Sequence, residues 1–244
     1  MQTKYDWWWW EKALTPEQCQ AIMDLGDGII QKKLAKGSDT SAITYAEQRY
    51  SGKVNKAQLY KIRLCDVAWF DDQWVYDLIH PFVNEANRSA GWIYEWSFSE
   101  AFQYTVYPEG GFYGWHTDQG LSCNFGRYKF DEHDIKEHRA SLASKIAPCI
   151  IENPTNIVDL HNKIRKLSVT VTLSEPDEYK GGNLEFDEGE FGISTKKNRY
   201  TEMENIRPQG SIVVFPSYQW HQVKKVTSGI RKSLVLWSCG EPFR

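Results

Sequence analysis

The chain has 244 residues and a formal charge of −3, which is length enough for one large domain or two small ones with a sizeable core, and no overall basic field to attract nucleic acid. Its 11 Trp, 13 Tyr and 11 Phe make it unusually aromatic for a globular protein. Five cysteines, an odd number with no C-x-x-C pair, argue against a disulfide framework or a structural zinc and for a reducing, cytoplasmic setting; no basic segment leads into an apolar one at the start and no apolar run nears about 18 residues, so neither a signal peptide nor a membrane span is expected.

In chain order, Trp7-Trp8-Trp9-Trp10 reads as a strand that packs both faces against the body rather than as an exposed stacking platform. Thr15-Pro16-Glu17-Gln18 is a helix start, with Thr15 as N-cap, Pro16 at the first helical position and Gln18 closing a capping box. Cys19, Ile22, Met23 and Gly26 then recur at helical spacing. The polar stretch from Lys36 to Lys56 reads as a surface loop, with Arg49, Tyr50 and Lys53 solvated in it. Leu59 to Trp69 suggests a strand. Trp74, Val75, Leu78, Ile79, Phe82, Val83 and Ala86 recur at three and four, the mark of an amphipathic helix, which Pro81 should kink and Gly91 should end. The first hundred residues therefore read as helices laid against a sheet.

Strands dominate the remainder of the chain. Phe98 to Tyr107 is aromatic and β-branched, Pro108-Glu109-Gly110-Gly111 is a turn, and Phe112 to Asp118 is a second strand. His116 and Asp118 are two apart, so an extended backbone projects both side chains to one face. An imidazole nitrogen and a carboxylate oxygen aimed at one point are two ligands for a divalent metal. The candidate third is His221, which comes after the apolar run and turn Phe215-Pro216-Ser217-Tyr218-Gln219-Trp220. Two histidines and a carboxylate that leave other positions open suit non-haem Fe(II) activating dioxygen. The bland alternative is a surface hydrogen-bonding pair.

The charged segment from 119 to about 164 reads as an excursion between strands, with short helices around 131–147 and 154–163. Its His133 and His138 are five apart, which misses the one-face spacing of a helix, so they read as solvent-facing. Leu167 to Leu173 alternates strictly, with Ser168, Thr170 and Thr172 on the face opposite Leu167, Val169 and Val171. Gly181-Gly182 turns into Leu184-Glu185-Phe186, and Gly210 to Phe215 reads as a strand buried on both faces. In Gly229 to Trp237, Arg231 and Ser233 share a face with Val235 and Trp237. An arginine entering a buried strand is costly unless it meets an anion. Its guanidinium suits bidentate binding of a carboxylate, with the Ser233 hydroxyl as a second donor; an internal ion pair is the alternative.

The ordered set H-x-D (His116 to Asp118), G-G-x-L-x-F (Gly181 to Phe186), V-F-P-S (Val214 to Ser217), the distal His221 and G-x-R-x-S (Gly229 to Ser233) resembles the 2-oxoglutarate and Fe(II)-dependent dioxygenases, especially the prolyl 4-hydroxylase-like branch of bacterial and phage hydroxylases. The resemblance covers about residues 100 to 240. It implies an α+β, mainly β chain built on a double-stranded β-helix, or jelly roll, with supporting N-terminal helices. It also implies a single catalytic domain over 1–244, in which 1–100 is the support layer with the first strands and 101–244 the core carrying the 119–164 insertion. His116, Asp118 and His221 would hold Fe(II). Arg231 would take the far carboxylate of 2-oxoglutarate, with Tyr107, Ser233 and Thr172 as further candidates for that pocket and dioxygen as the oxidant. The expected reaction is hydroxylation of a substrate C–H bond, in a peptidyl proline, with a peptide, protein or small molecule as partner and neither nucleic acid nor membrane. A nucleic-acid demethylase on the same chemistry, or a non-enzymatic jelly-roll module binding sugar or peptide, are the alternatives.

Overall fold

A computed structural model of the chain describes residues 5–42, 61–119, 163–188 and 199–243. The readings placed on Arg49, Tyr50, Lys53, His133, His138 and the expected helices at 131–147 and 154–163 lie outside these residues, apart from Lys163 itself.

Strand β1 (Trp8–Trp10) opens the fold and pairs antiparallel with β11 (Ile212–Pro216), setting Trp8 opposite Val214 and Trp10 opposite Ile212. Alternation along the strand sends successive indoles to opposite faces. Trp8 and Trp10 pack under the helices, whereas Trp7 and Trp9 pack on the inner side with Phe186 and Phe215. Trp7 stacks on Phe186 at 4.8 Å between ring centroids. The tryptophan run is thus a two-sided packing strand, as its sequence suggests.

Helix α1 (Pro16–Ala35) begins in the expected box: the Thr15 side chain accepts from the Gln18 amide, and the Gln18 side chain accepts from the Thr15 amide. Cys19, Ile22, Met23 and Gly26 are its buried stripe, and it lies against β3 (Asp66–Phe70), which comes after the short β2 (Arg63–Leu64). Helix α2 (Gln73–Ser89) runs through Pro81 and buries Val75, Tyr76, Ile79, Val83 and Ala86. Trp74, expected in the stripe, is instead 41% exposed. At 3.6 residues per turn Trp74 faces away from Ile79 and Val83, whereas Tyr76 faces with them, its ring 4.4 Å from Phe102 and its hydroxyl donating to the Glu100 carbonyl.

Past α2 the chain forms β4 (Phe98–Ser99), β5 (Phe102–Tyr107), β6 (Phe112–His116), β7 (Ile164–Thr172), β8 (Tyr179–Gly181), β9 (Leu184–Asp187), β10 (Tyr200–Glu202), β12 (His221–Val223), β13 (Val226–Gly229) and β14 (Arg231–Gly240). The major sheet has the order β1-β11-β7-β14-β5-β3, with β4 also on β14. The minor sheet has the order β10-β9-β12-β6-β2, and β8 pairs with β13. From β5 onward the chain passes back and forth between the two large sheets: β5 major, β6 minor, β7 major, β9 and its hairpin partner β10 minor, β11 major, β12 minor, β14 major. That winding is a double-stranded β-helix. One apolar cluster lies between the helices and the major sheet, and a second lies between the two sheets. Leu167, Val169 and Val171 point to the helices, which leaves the hydroxyl face of β7 turned inward.

Candidate metal centre and anion pocket

His116 ends β6, His221 begins β12, and the two are direct partners across the antiparallel pair. Facing residues project from the same side of a sheet, so the register alone brings the two imidazoles together, with ring centroids 4.2 Å apart. Asp118 joins them from the strand extension beyond β6. One donor atom from each of the three lies within 4.8 Å of the others. His116 Nε2 is 3.8 Å from Asp118 Oδ1 and His221 Nε2 is 3.7 Å from Oδ2, distances too long for hydrogen bonds.

The outward nitrogens explain why these groups converge. His116 Nδ1 donates to the Gly114 carbonyl at 2.8 Å, and His221 Nδ1 donates to the Gln219 carbonyl at 2.9 Å. A carbonyl only accepts, so each Nδ1 carries the ring hydrogen and each Nε2 turns a lone pair inward, the tautomer that metal-binding histidines take. Burial, and then His221 beside it, pushes His116 down to about 3, so its imidazole is neutral at ordinary pH. Burial pulls Asp118 upward, but His221, His116, Arg165 and the Ser168 hydroxyl outweigh it and hold the carboxyl at about 2. The donor set is two imidazole lone pairs and a carboxylate, which fits a divalent transition metal. Tyr113 stacks on His116 at 3.6 Å and 16°, fixing the ring plane, and the Arg63 guanidinium lies over the other side of Tyr113 at 4.4 Å.

The same cavity extends from the three donors to Arg231. Arg231 is 2% exposed, and its described contacts are Ser233 Oγ at 3.3 Å and the Tyr107 ring at 5.4 Å. Among the described residues no carboxylate pairs with it. A buried guanidinium offers a planar set of N–H donors suited to a carboxylate. Tyr107 lines the cavity beside it, with its phenol held protonated far above neutral pH, by burial first and then by Cys65. Ser233 lines it too. Thr172 does not: its hydroxyl donates to the Ile206 carbonyl at 2.7 Å, away from the cavity. Its neighbour on the same face, Thr170, is the wall residue instead.

Sequence reasoning passed over several residues that the fold places at the site. Gln103, Tyr113 and Trp237 also line the cavity. Trp237 was legible as the residue two beyond Val235 on the Arg231 face. Ser168 was legible only as a hydroxyl on the polar face of β7, and its target, Asp118, comes from across the fold at 2.6 Å. Arg165 and Glu100 form a buried bidentate ion pair, with both contacts at 2.6 Å, and the guanidinium lies 3.7 Å over Trp237.

A family model described as the 2OG-Fe(II) oxygenase superfamily matches residues 102–239, more than half of the chain and a span that contains all three donors and Arg231. A PKHD-type hydroxylase of Verminephrobacter eiseniae is 38% identical over 82 residues, 33% of this chain and 32% of that relative. The matched stretch thus spans about a third of the relative's length. Among solved structures, a prolyl-4-hydroxylase of Pseudomonas putida superposes with a TM-score of 0.54 at 17% identity, covering 96% of this chain and 92% of that one. The viral collagen prolyl hydroxylase of Paramecium bursaria Chlorella virus-1 gives 0.54 at 16% identity, with 97% of each chain covered. These two likenesses are likenesses of fold.

Proposed function

Because the chain belongs to the 2OG-Fe(II) oxygenase superfamily, we propose that it is a 2-oxoglutarate-dependent dioxygenase that hydroxylates a C–H bond of a peptidyl proline, working as one catalytic domain. The observation that carries this reading is the shared cavity: three convergent donors at one end and a buried guanidinium without a described acid at the other. A metal chelating one end of a dicarboxylate would place the far carboxylate toward Arg231. The jelly-roll fold, its likeness to prolyl hydroxylases and the hydroxylase-named relative support the reaction class and the peptide substrate. The common apolar cluster of α1, α2 and the major sheet supports a single domain.

Fe(II) held there with 2-oxoglutarate would supply the oxidation, with one oxygen atom of O2 going to a hydroxyl on the substrate carbon and the other to the succinate left when the co-substrate loses carbon dioxide. The chain's own residues bind, orient and shield. His116 and His221 each offer an Nε2 lone pair whose direction is fixed by the hydrogen bond at Nδ1. Asp118 offers an anionic oxygen. Arg231 and Ser233 offer N–H and O–H donors to the far carboxylate, and the protonated Tyr107 hydroxyl offers another. Leu184, Val223 and Val235 give the cavity apolar walls, which exclude water and strengthen the charge contacts inside. No helix among the described residues is long and apolar enough to cross a membrane.

The test is an anaerobic titration of metal-free protein with Fe(II) and then 2-oxoglutarate, watching for the visible charge-transfer band of a chelated 2-oxo acid. Aerobic turnover on proline-containing peptides is then read by mass spectrometry for addition of one oxygen atom. Absence of the band at saturating iron and 2-oxoglutarate would overturn the co-substrate; turnover confined to free amino acids would overturn the peptide.

A further inference from the structure

Two buried serines complete the metal centre from behind. Ser168 on β7 and Ser217 just past β11 are both 0% exposed. Ser168 Oγ is 2.6 Å from Asp118 Oδ2 and 2.9 Å from Ser217 Oγ. Proton accounting orders this chain. An ionised carboxylate only accepts, so the one hydroxyl hydrogen of Ser168 is spent on Oδ2. The hydrogen between the serines must then be Ser217's, and the relay runs Ser217 to Ser168 to Asp118. Each bond polarises the next and strengthens the contact to the carboxylate.

The backbone fixes this geometry. Ser217 N donates to the Lys166 carbonyl at 3.0 Å, and the Ser217 carbonyl accepts from Gln119 N at 2.9 Å. Ser217 therefore ties the residue immediately after Asp118 to the turn that leads to His221. The serine relay joins three strands that reach the centre from different parts of the chain.

We propose that Ser168, backed by Ser217, is a positioning residue that caps Oδ2 and keeps Asp118 a one-oxygen ligand through Oδ1. The proposal rests on the metal-site reading above. A carboxylate free to turn can offer both oxygens to a divalent ion and close a position needed by the co-substrate or oxygen. A short O–H···O⁻ bond withdraws charge from Oδ2 and holds the carboxylate plane, so Oδ1 is the better donor. The sequence motif V-F-P-S thereby acquires a role: its serine governs a carboxylate that lies far from it in the chain.

Two measurements decide this, one of them independent of 2-oxoglutarate. Water-proton relaxation of the Mn(II)-loaded protein reports how many exchangeable waters the metal holds. In Ser168→Ala the relaxivity per bound Mn(II) falls, because the second carboxylate oxygen displaces a water, while Mn(II) stoichiometry is kept. In the anaerobic Fe(II) titration the same variant needs about 10-fold more 2-oxoglutarate to develop half of the charge-transfer band, the lower end of what outer-shell losses cost. Ser217→Ala moves both readouts the same way but less, since Ser168 keeps its own hydrogen, and Ser168→Thr restores them. Relaxivity and 2-oxoglutarate requirement unchanged in Ser168→Ala would overturn the proposal. So would loss of metal from Ser168→Ala with Ser217→Ala identical to wild type, which would make Ser168 a packing residue. A wild-type protein that binds Mn(II) but shows no band sinks the co-substrate reading, and the relaxivity comparison still decides the serine relay.

Discussion

His116 and His221 are Cα partners across the β6–β12 pair, and each donates Nδ1 to the carbonyl two residues before it. The same local device is used twice in facing strands, so the two Nε2 atoms point to one place before any metal arrives. Replacing either imidazole removes a ligand and leaves the other two groups converging on a gap. His116→Ala and His221→Ala should each lower Fe(II) affinity by more than the roughly 10–100-fold that loss of an outer-shell partner costs, with little change in the thermal midpoint of the metal-free protein. Equilibrium dialysis against Fe(II) under anaerobic conditions measures this; near-normal stoichiometry in either variant would remove that histidine from the site.

Arg231 enters the cavity as a buried cation held by Ser233 and Tyr107. Removing one partner of a buried, hydrogen-bonded charge pair costs about 2–5 kcal/mol, so Arg231→Leu should raise the 2-oxoglutarate requirement on the order of 30-fold or more. Iron binding should be unaffected, because Arg231 is not among the three donors. Arg231→Lys should fall between, since an ammonium lacks the planar fork. A Leu variant with wild-type 2-oxoglutarate dependence would show that the far carboxylate lies elsewhere.

Gly182, in the G-G-x-L-x-F motif, lies against the Arg231 side chain. Its φ is +65°, and a Cβ there would come within 2.9 Å of a Val226 methyl and 3.0 Å of Arg231 Cδ. Gly182→Ala should therefore destabilise the fold by about 1–3 kcal/mol, from left-handed backbone strain and crowding. It should also weaken 2-oxoglutarate binding by displacing Arg231. Thermal melts with and without saturating 2-oxoglutarate separate the two effects: a variant whose ligand-induced rise in midpoint matches wild type has lost stability only.

The metal donors and Arg231 were legible because each rests on a short-range rule. His116 and Asp118 share a strand face by period two, and Arg231 stands out as a charge inside an apolar alternation. The α1 capping box and the two-sided tryptophan strand were legible for the same reason. What local rules could not give was the partner across the fold. Thr172 and Thr170 lie on the same face of β7 and look alike in sequence, but only the winding of the strands puts Thr170 on the cavity and Thr172 against the Ile206 carbonyl. Trp74 reads as part of the helical stripe by its distance from Leu78, yet it faces away from Ile79 and Val83, and Tyr76 is the aromatic that reaches the core, its hydroxyl donating to the Glu100 carbonyl. The Ser168–Asp118 contact and the Arg165–Glu100 pair are likewise long-range products of sheet order.

That last pair makes a stability prediction. Arg165 and Glu100 are about 5% exposed and bonded through two 2.6 Å contacts. Glu100→Ala removes the bidentate carboxylate from a buried guanidinium, which should cost about 3–5 kcal/mol. Glu100→Gln keeps one acceptor oxygen and should cost less. The double variant Glu100→Leu with Arg165→Met, which removes both charges, should recover much of the loss in chemical denaturation. If Glu100→Ala alone is near neutral, water or another acceptor compensates Arg165 and the pair is not what holds this corner together.

Lys166 should make stability rise with pH in alkaline solution. It is 4% exposed, with Nζ 3.5 Å from the centre of the Phe243 ring and 6.0 Å from that of Tyr94. Burial disfavours its charged form, and Glu95 and Glu241 only partly offset this, so its amine is pushed down from 10.5 to about 8. In the unfolded chain it returns to its ordinary value. Between about pH 8 and 10.5 the unfolded state therefore holds more protons than the folded one, and the slope of unfolding free energy against pH is positive there. Below pH 8 the penalty of a buried ammonium is present in full; above it the folded protein sheds the proton and the penalty fades. Lys166→Met, which keeps the length and removes the charge, should be more stable than wild type at pH 7, and its advantage should shrink as pH approaches 10. Paired denaturation curves at pH 7, 8.5 and 10 test the difference, since every other group titrates alike in the two proteins. A Met variant less stable than wild type at pH 7 would mean that the ring contacts stabilise the ammonium by more than burial costs it.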